Sequence, residues 1–129
     1  MLDHIGFKVA DYQASKAFYT RVLGAIGYRL VMEVTPEMTG TDAWHVGFGA
    51  PGKPSFWIGM GEPLHGSMHV AFNAGSRSAV DAFHAEALAA GGRGNGPPGL
   101  RPHYHPDYYG AFVLDPEGHN IEAVCHAPE

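Results

Sequence analysis

The sequence has little of several things that would mark particular classes of protein. It has one cysteine, Cys125, so no intrachain disulfide is possible and the reducing cytoplasm is the expected compartment. No apolar run approaches the roughly 20 residues that a membrane-spanning helix needs. No charged and apolar leader precedes the first strand pattern, which begins at Leu2. We therefore expect a cytoplasmic protein with no signal peptide and no membrane partner.

Positive charge is also scarce. Lys and Arg total 8 against 13 Asp and Glu, and the net charge is −5 with neutral His. Nucleic-acid-binding domains present a basic face, so no nucleic-acid partner is expected. Hydrophobic residues make up 45% of the chain and charged ones 16%, which is typical of a globular protein. The 129 residues are enough for one ordinary domain with its own core.

An internal repeat organises the chain. When the sequence is shifted by 65 positions, so that His4 meets His69, eight of the 24 positions from 4 to 27 meet an identical residue. Typical residue frequencies would give roughly two identities over this length. The repeat predicts two copies of one folding unit.

Each copy has the pattern β-α-β-β-β. Strands are predicted at 2–9 and 68–73, followed by helices that end near Gly24 and Ala90, with N-caps at Asp11 and at Ser76 or Ser78. Further strands are predicted at 28–34, 44–48, 55–59, 111–114 and 120–125, while 94–110 is expected to hold a poor strand and an exposed loop. The inner helix faces are predicted to carry Ala14, Ala17, Phe18 and Val22 in the first copy and Val80, Phe83, Ala87 and Leu88 in the second.

These elements predict an α+β fold in one domain of residues 1–129. Two βαβββ modules, at about 1–62 and about 66–127, would form a curved mixed sheet around a concave cup. The helices would cover the outer face of the sheet.

Three metal-capable side chains are predicted to share the face turned away from the helices. Strand alternation places His4 and His69 on that face of the first strand of each copy, and it places Glu122 there on the last strand. The repeat partner of Glu122 is Trp57, which cannot bind a metal. We therefore expect a divalent ion (Zn, Fe, Mn, Ni or Co) held by three side chains, with positions left for water and substrate.

Residues 101 to 109 are dense in polar aromatic side chains. They fit a lid or substrate wall over the metal, and equally a proline-stiffened loop whose rings pack on the rim. The candidates for a general base are His103, His105 and Tyr109, and the candidates for substrate contact are Phe56, Trp57, Arg101, Tyr104 and Tyr108. Cys125 is expected in the core. The remaining histidines are expected at the surface or in turns: His45, His65, His84, His119 and His126.

Four stretches of the sequence together resemble the vicinal oxygen chelate superfamily, the group of glyoxalases, bleomycin-resistance proteins and extradiol dioxygenases. They are Asp3-His4-Ile5-Gly6, Ala17-Phe18-Tyr19 with Leu23-Gly24, Met68-His69-Val70-Ala71-Phe72, and Asp115 to Glu122, of which the last is the most specific. The resemblance implies paired βαβββ modules around a metal cup ligated at His4, His69 and Glu122. It also implies a homodimer, in some members with modules shared between chains.

Two functions from different classes remain open. The favoured hypothesis is a metal-dependent enzyme, of lyase, dioxygenase or transferase type, acting on a small oxygen-chelating substrate. Glyoxalase I enzymes resemble this chain but carry a fourth ligand where Trp57 stands, which argues against lactoylglutathione lyase activity. The alternative is a metal-free protein that sequesters a drug or other small molecule, as bleomycin-resistance proteins do.

Overall fold

The computed structural model describes the whole chain, residues 1–129, as eight strands and three helices. No helix in it is long and apolar enough to cross a membrane. The elements in chain order are β1 (Ile5–Val9), α1 (Tyr12–Gly24), β2 (Arg29–Val34), α2 (Pro36–Thr39), β3 (His45–Ala50), β4 (Lys53–Met60), β5 (His69–Asn73), α3 (Arg77–Ala89), β6 (Arg93–Leu100), β7 (Tyr109–Leu114) and β8 (Asn120–Cys125).

The strands form two four-stranded mixed sheets with the same topology. The strand order is β1-β4-β3-β2 in the first sheet and β5-β8-β7-β6 in the second. In each sheet the first strand pairs in parallel with the last strand of its module, and the other pairs are antiparallel. The predicted α+β fold of two βαβββ modules is thereby confirmed.

The two long helices begin at equivalent caps. The Asp11 carboxylate accepts the Ala14 N–H at 3.0 Å, and the Ser76 hydroxyl accepts the Ala79 N–H at 3.1 Å. Each cap satisfies a backbone donor that the first helical turn leaves without a partner. Of the two serines considered from the sequence, Ser76 is the cap, and it lies 65 residues after Asp11 as the repeat requires.

The inner faces of the helices differ in part from the prediction. Ala17 on α1 and Leu88 on α3 are exposed, so their assignment to the core was wrong. A helix buries one stripe at spacings of three and four residues, and the large rings decide which stripe faces the sheet. The buried residues are Tyr12, Ser15, Phe18, Tyr19, Val22 and Leu23 on α1 and Val80, Phe83 and Ala87 on α3.

Strand β6 is longer than the poor strand expected within 94–110. It runs for eight residues as an edge strand, with its register to β7 shifted on both sides of Gly96. An edge strand tolerates Pro97 and Pro98 because one side of it has no ladder hydrogen bonds to lose. The exposed loop therefore begins only after Leu100 and ends before Tyr109.

The turn between β7 and β8 joins the two modules. The Glu117 carboxylate accepts the N–H groups of Ala10 and Asp11, at 3.0 and 3.1 Å, across the module boundary. In the core, the Tyr19 hydroxyl donates to the buried Asp115 carboxylate, which also accepts the His119 N–H at 2.8 Å. Both carboxylates belong to the second module, and each accepts hydrogen bonds from the first module. The relative position of the two sheets is therefore held by directional bonds as well as by core packing.

The buried Tyr19 phenol should make the protein less stable at alkaline pH. Burial, together with the charge of Asp115, raises the pKa of Tyr19 well above its ordinary value. A raised pKa in the folded state contributes stability that is complete below the unfolded value of about 10 and is lost as pH rises beyond it. Above pH 10 this residue should therefore lower the free energy of unfolding by about 1.4 kcal/mol per pH unit.

Chemical denaturation between pH 8 and 11 measures this effect. The variant Tyr19→Phe should show a pH slope shallower by the contribution of one tyrosine. Phenolate absorbance assigned to Tyr19 by difference should appear only as the circular dichroism of the fold is lost. Ionisation of Tyr19 near pH 10 in the folded protein would contradict the prediction.

Candidate metal-binding site

Two of the three predicted ligands lie together on the second sheet, on the face turned away from the helices, which we call the open face. His69 begins β5, and Glu122 lies in the middle of β8, paired in register with Ala71. Ala71 and His69 alternate with the inward Val70, so His69 and Glu122 share one face. The opposite face of β8 packs on α3 through Ile121, Ala123 and Cys125, all buried, which confirms Cys125 as a core residue.

Glu122 is a buried carboxylate with two neighbours. It is 1% exposed, and its Oε2 lies 2.9 Å from Nε2 of His69. Its Oε1 accepts a hydrogen bond from the Tyr108 hydroxyl. Neither partner is a lysine or arginine. A buried carboxylate with no lysine or arginine beside it depends on such hydrogen bonds for its stability. The oxygen of Glu122 that contacts His69 faces the exposed side of the sheet.

Tyr108 is held against Glu122 by the shape of the neighbouring backbone. A methyl group at Gly110 would lie 3.1 Å from Cε1 of Tyr108 and 3.2 Å from Oε1 of Glu122. Burial, reinforced by the bond to Glu122, raises the pKa of Tyr108, so this phenol stays protonated and remains a donor. Tyr108 was considered from the sequence only as a substrate contact, and its bond to Glu122 was missed.

His4 lies outside this group. Its Nδ1 is 2.7 Å from the Asp3 carboxylate, which also accepts from Lys53 at 2.7 Å. These two hydrogen bonds, from His4 first and then Lys53, lower the pKa of Asp3. The His4 side chain is 60% exposed. It therefore has freedom to turn toward another partner.

A cleft of about 440 Å³ separates the edge strands β1 and β5. His4 and His69 both line it, together with apolar side chains that include Phe56 and Phe72. Glu122 does not line it. Within the chain, no three His, Cys, Asp or Glu side chains converge closely enough to hold a metal ion. The structure therefore brings together two members of the predicted trio and leaves His4 across the cleft.

The loop of residues 101–108 borders the open face of the second sheet. The Arg101 guanidinium lies 5.5 Å from the ring centre of Phe112, whose register partner is Glu122. Tyr104 contacts the Tyr108 ring edge to face at 5.1 Å. The two histidines of the loop make no contact with Glu122. His103 packs on Tyr104, whereas His105 accepts the Asp107 N–H and lies near His126.

The other candidates are divided between the two faces of the sheets. Tyr109 pairs with Cys125, and its hydroxyl donates to Asp81 of α3 at 2.7 Å. Phe56 is buried against the helices, while its neighbour Trp57 lies on the open face of the first sheet. His119 follows the turn as expected, but its ring is buried and its Nδ1 accepts the Met68 N–H. It packs on Phe7, so it is a structural histidine and not a surface one.

Strand alternation was the sequence signal for Tyr108. In β7, Ala111 and Val113 are buried on the helix face, so Gly110 and Phe112 point to the open face. Extending this period by one step assigns Tyr108 to the face of Glu122 and Tyr109 to the helices.

The sequence matches a family model described as the Glyoxalase/Bleomycin resistance protein/Dioxygenase superfamily, over residues 1–123. The chain belongs to this superfamily. A comparison with curated proteins finds no match. Members of the superfamily act on small molecules and typically bind a divalent metal.

Solved structures of the superfamily have the same fold. A glyoxalase/bleomycin resistance protein from Albidiferax ferrireducens is 28% identical, covers 97% of each chain and has a TM-score of 0.70. A putative glyoxalase from Bacillus halodurans is 24% identical, covers 97% of this chain and 95% of its own, with a TM-score of 0.67. A glyoxalase I mutant from Zea mays matches 99% of this chain with 45% of its own, at 17% identity and a TM-score of 0.70. That protein is therefore about twice the length of this one.

Proposed function

We propose that the chain is a metal-dependent superfamily enzyme acting on a small oxygen-chelating substrate, with His4, His69 and Glu122 as the ligands. The observation that carries the proposal is the buried Glu122 carboxylate beside the exposed His69 ring. Metal ligands at about 2.0–2.2 Å from an ion stand roughly 3 Å apart when they are neighbours. The 2.9 Å between His69 Nε2 and Glu122 Oε2 fits that spacing.

The charge of the site fits a cation as well. Glu122 is buried with no lysine or arginine against it, and its second oxygen is held by the neutral Tyr108 hydroxyl. Such a bond orients a carboxylate ligand and leaves the other oxygen free to bind. A divalent ion at His69 and Glu122 would supply the missing positive charge.

We propose that the third ligand comes from a second copy of the chain. His4 does not converge with His69 and Glu122 within one chain, and His4 and His69 are both more than half exposed. A two-fold homodimer that faces the first sheet of one chain with the second sheet of its partner would bring the trio together. This arrangement makes two identical sites per dimer.

Bound in this way, the metal would polarise a substrate that chelates it through two oxygens and stabilise developing oxyanion charge. The chain itself would orient Glu122 through Tyr108 and border the site with Arg101 and Tyr104. On the exposed loop, His103 and His105 remain our candidates for moving a proton. The position of Trp57 argues against a four-ligand lactoylglutathione lyase. We propose a reaction of lyase, dioxygenase or transferase type, with the cytoplasm as its compartment.

Elemental analysis tests the proposal. Protein purified without an affinity tag, stripped with chelator and offered Mn, Fe, Co, Ni and Zn in turn, should bind about one ion per chain of at least one of them. Failure to bind any of the five would contradict the proposal.

The second candidate function is a metal-free small-molecule-binding protein of the bleomycin-resistance type. Failure to bind any of the five metals would favour it. This candidate is favoured by one observation: His69, Glu122 and Tyr108 already satisfy one another through hydrogen bonds. It requires that ligand affinity be the same with and without chelator, whereas the enzyme proposal requires that affinity for a chelating substrate fall when the metal is removed.

A further inference from the structure

The open face of the first sheet carries two aromatic rings laid on glycine. Trp57 lies on the central strand β4, with Gly6 of β1 and Gly47 of β3 as its register partners. A methyl at Gly47 would lie 2.8 Å from two carbons of the indole, so the ring passes directly over this residue. On β3, His45 crosses Gly59 in the same way, since a methyl there would lie 2.4 Å from Cδ2 of His45.

A lysine without a salt-bridge partner lies on the same face, with its side chain over Gly61, just past the end of β4. Lys8 pairs in register with Gly59, as His45 does from the other side, so all three share one row across the sheet. Lys8 forms no salt bridge, whereas Lys16 and Lys53 each contact a carboxylate. Lys8, His45 and Trp57 line one cavity of about 190 Å³.

We propose that this cavity binds a small planar anion, namely a carboxylate conjugated to a single ring or double bond. A flat π-system stacks on an indole or imidazole whose other face is already covered by backbone, and Lys8 is the only lysine or arginine among the residues that line the cavity. The volume is below the roughly 300 Å³ at which drug-sized pockets begin, so it suits one ring and not an extended drug.

As a statement about substrate class this inference rests on the proposed function. In the proposed dimer the first sheet of one chain faces the second sheet of its partner, so the cavity would lie opposite the partner's metal ligands. Binding of the anion does not itself require metal. The two proposals can therefore be tested separately.

The test uses benzoate as probe, with the full chain in excess chelator. Trp44→Phe leaves Trp57 as the only tryptophan, and its fluorescence reports binding. Cyclohexanecarboxylate has the charge without the plane, and benzamide has the plane without the charge. Benzoate should bind more tightly than either by about tenfold. Equal affinity for the three compounds, or no saturation by benzoate, would overturn the inference.

Lysine variants in the same background keep the result specific. Lys8→Gln should weaken benzoate by about tenfold and leave benzamide unchanged. Lys53→Gln is the matched control, since this lysine is paired with Asp3, and it should leave the affinity for benzoate unchanged. Equal losses in the two variants would assign the effect to net charge and overturn the site.

Metal content separates this inference from the proposed function. Benzoate binding in a protein that takes up no metal would support the cavity and remove the enzyme proposal. A stoichiometric metal in a protein that does not bind benzoate would do the reverse.

Discussion

Glu122→Ala is expected to reduce bound metal from about one ion per chain to none detectable, because three ligands are the minimum of the proposed site and this one carries the only charge. The fold should persist. The substitution removes a buried charge and leaves the Tyr108 hydroxyl and the His69 ring without their partner. This loss should lower the free energy of unfolding by about 1–3 kcal/mol. The measurement is elemental analysis after reconstitution, with circular dichroism to verify folding.

Two further variants make this result specific. Glu62→Ala removes an exposed carboxylate that contacts only His65, so its metal content should equal that of the parent. Tyr108→Phe keeps all three ligands but loses the bond that orients Glu122, and it should weaken metal binding by about 10- to 100-fold. Metal retained in full by Glu122→Ala would exclude this carboxylate as a ligand.

Mixing two inactive variants should restore metal binding if the site is shared between chains. His4→Ala and Glu122→Ala would each bind no metal alone. In a heterodimer of the two, one site carries both substitutions. The other site is intact, because it takes His4 from the Glu122→Ala chain and Glu122 from the His4→Ala chain. With random exchange half of the dimers are mixed, so the metal content should recover to about a quarter of the wild-type value.

The exchange must be driven and checked. The two variants are unfolded and refolded together, and each is also refolded alone as a control. Size-exclusion chromatography with light scattering measures the oligomeric state. Recovery of metal only in the mixture supports the shared site. A dimer that recovers none would place all three ligands in one chain, with His4 turned across the cleft, and a monomer that binds metal would lead to the same conclusion.

Much of the fold could be predicted from the sequence because its determinants are local. The 65-residue repeat relates two strands, two helices and two caps, and the structure has Asp11 and Ser76 as equivalent N-caps. Errors arose where a choice depends on packing. Ala17 and Leu88 fit the helical period, yet the rings of Phe18, Tyr19 and Phe83 occupy the core instead.

Functional residues divide in the same way. Alternation along β5 and β8 was sufficient to predict that His69 and Glu122 share a face, since a strand's period of two is a property of its own backbone. Nothing local distinguishes the buried His119 from an exposed turn histidine, because its partners, Phe7 and Met68, come from distant parts of the chain. The glycines under Trp57 and His45 likewise belong to neighbouring strands.

The sequence by itself determined the two βαβββ modules, their caps and the faces of their strands, because backbone periodicity and capping act over a few residues. Only the tertiary structure decided that His119 is buried against Phe7 and that His4 stays across a cleft from His69. The physical reason is that these outcomes depend on how two sheets are set against each other. That arrangement follows from contacts such as Tyr19 with Asp115 and Glu117 with the backbone of Ala10 and Asp11, which join residues about 100 positions apart.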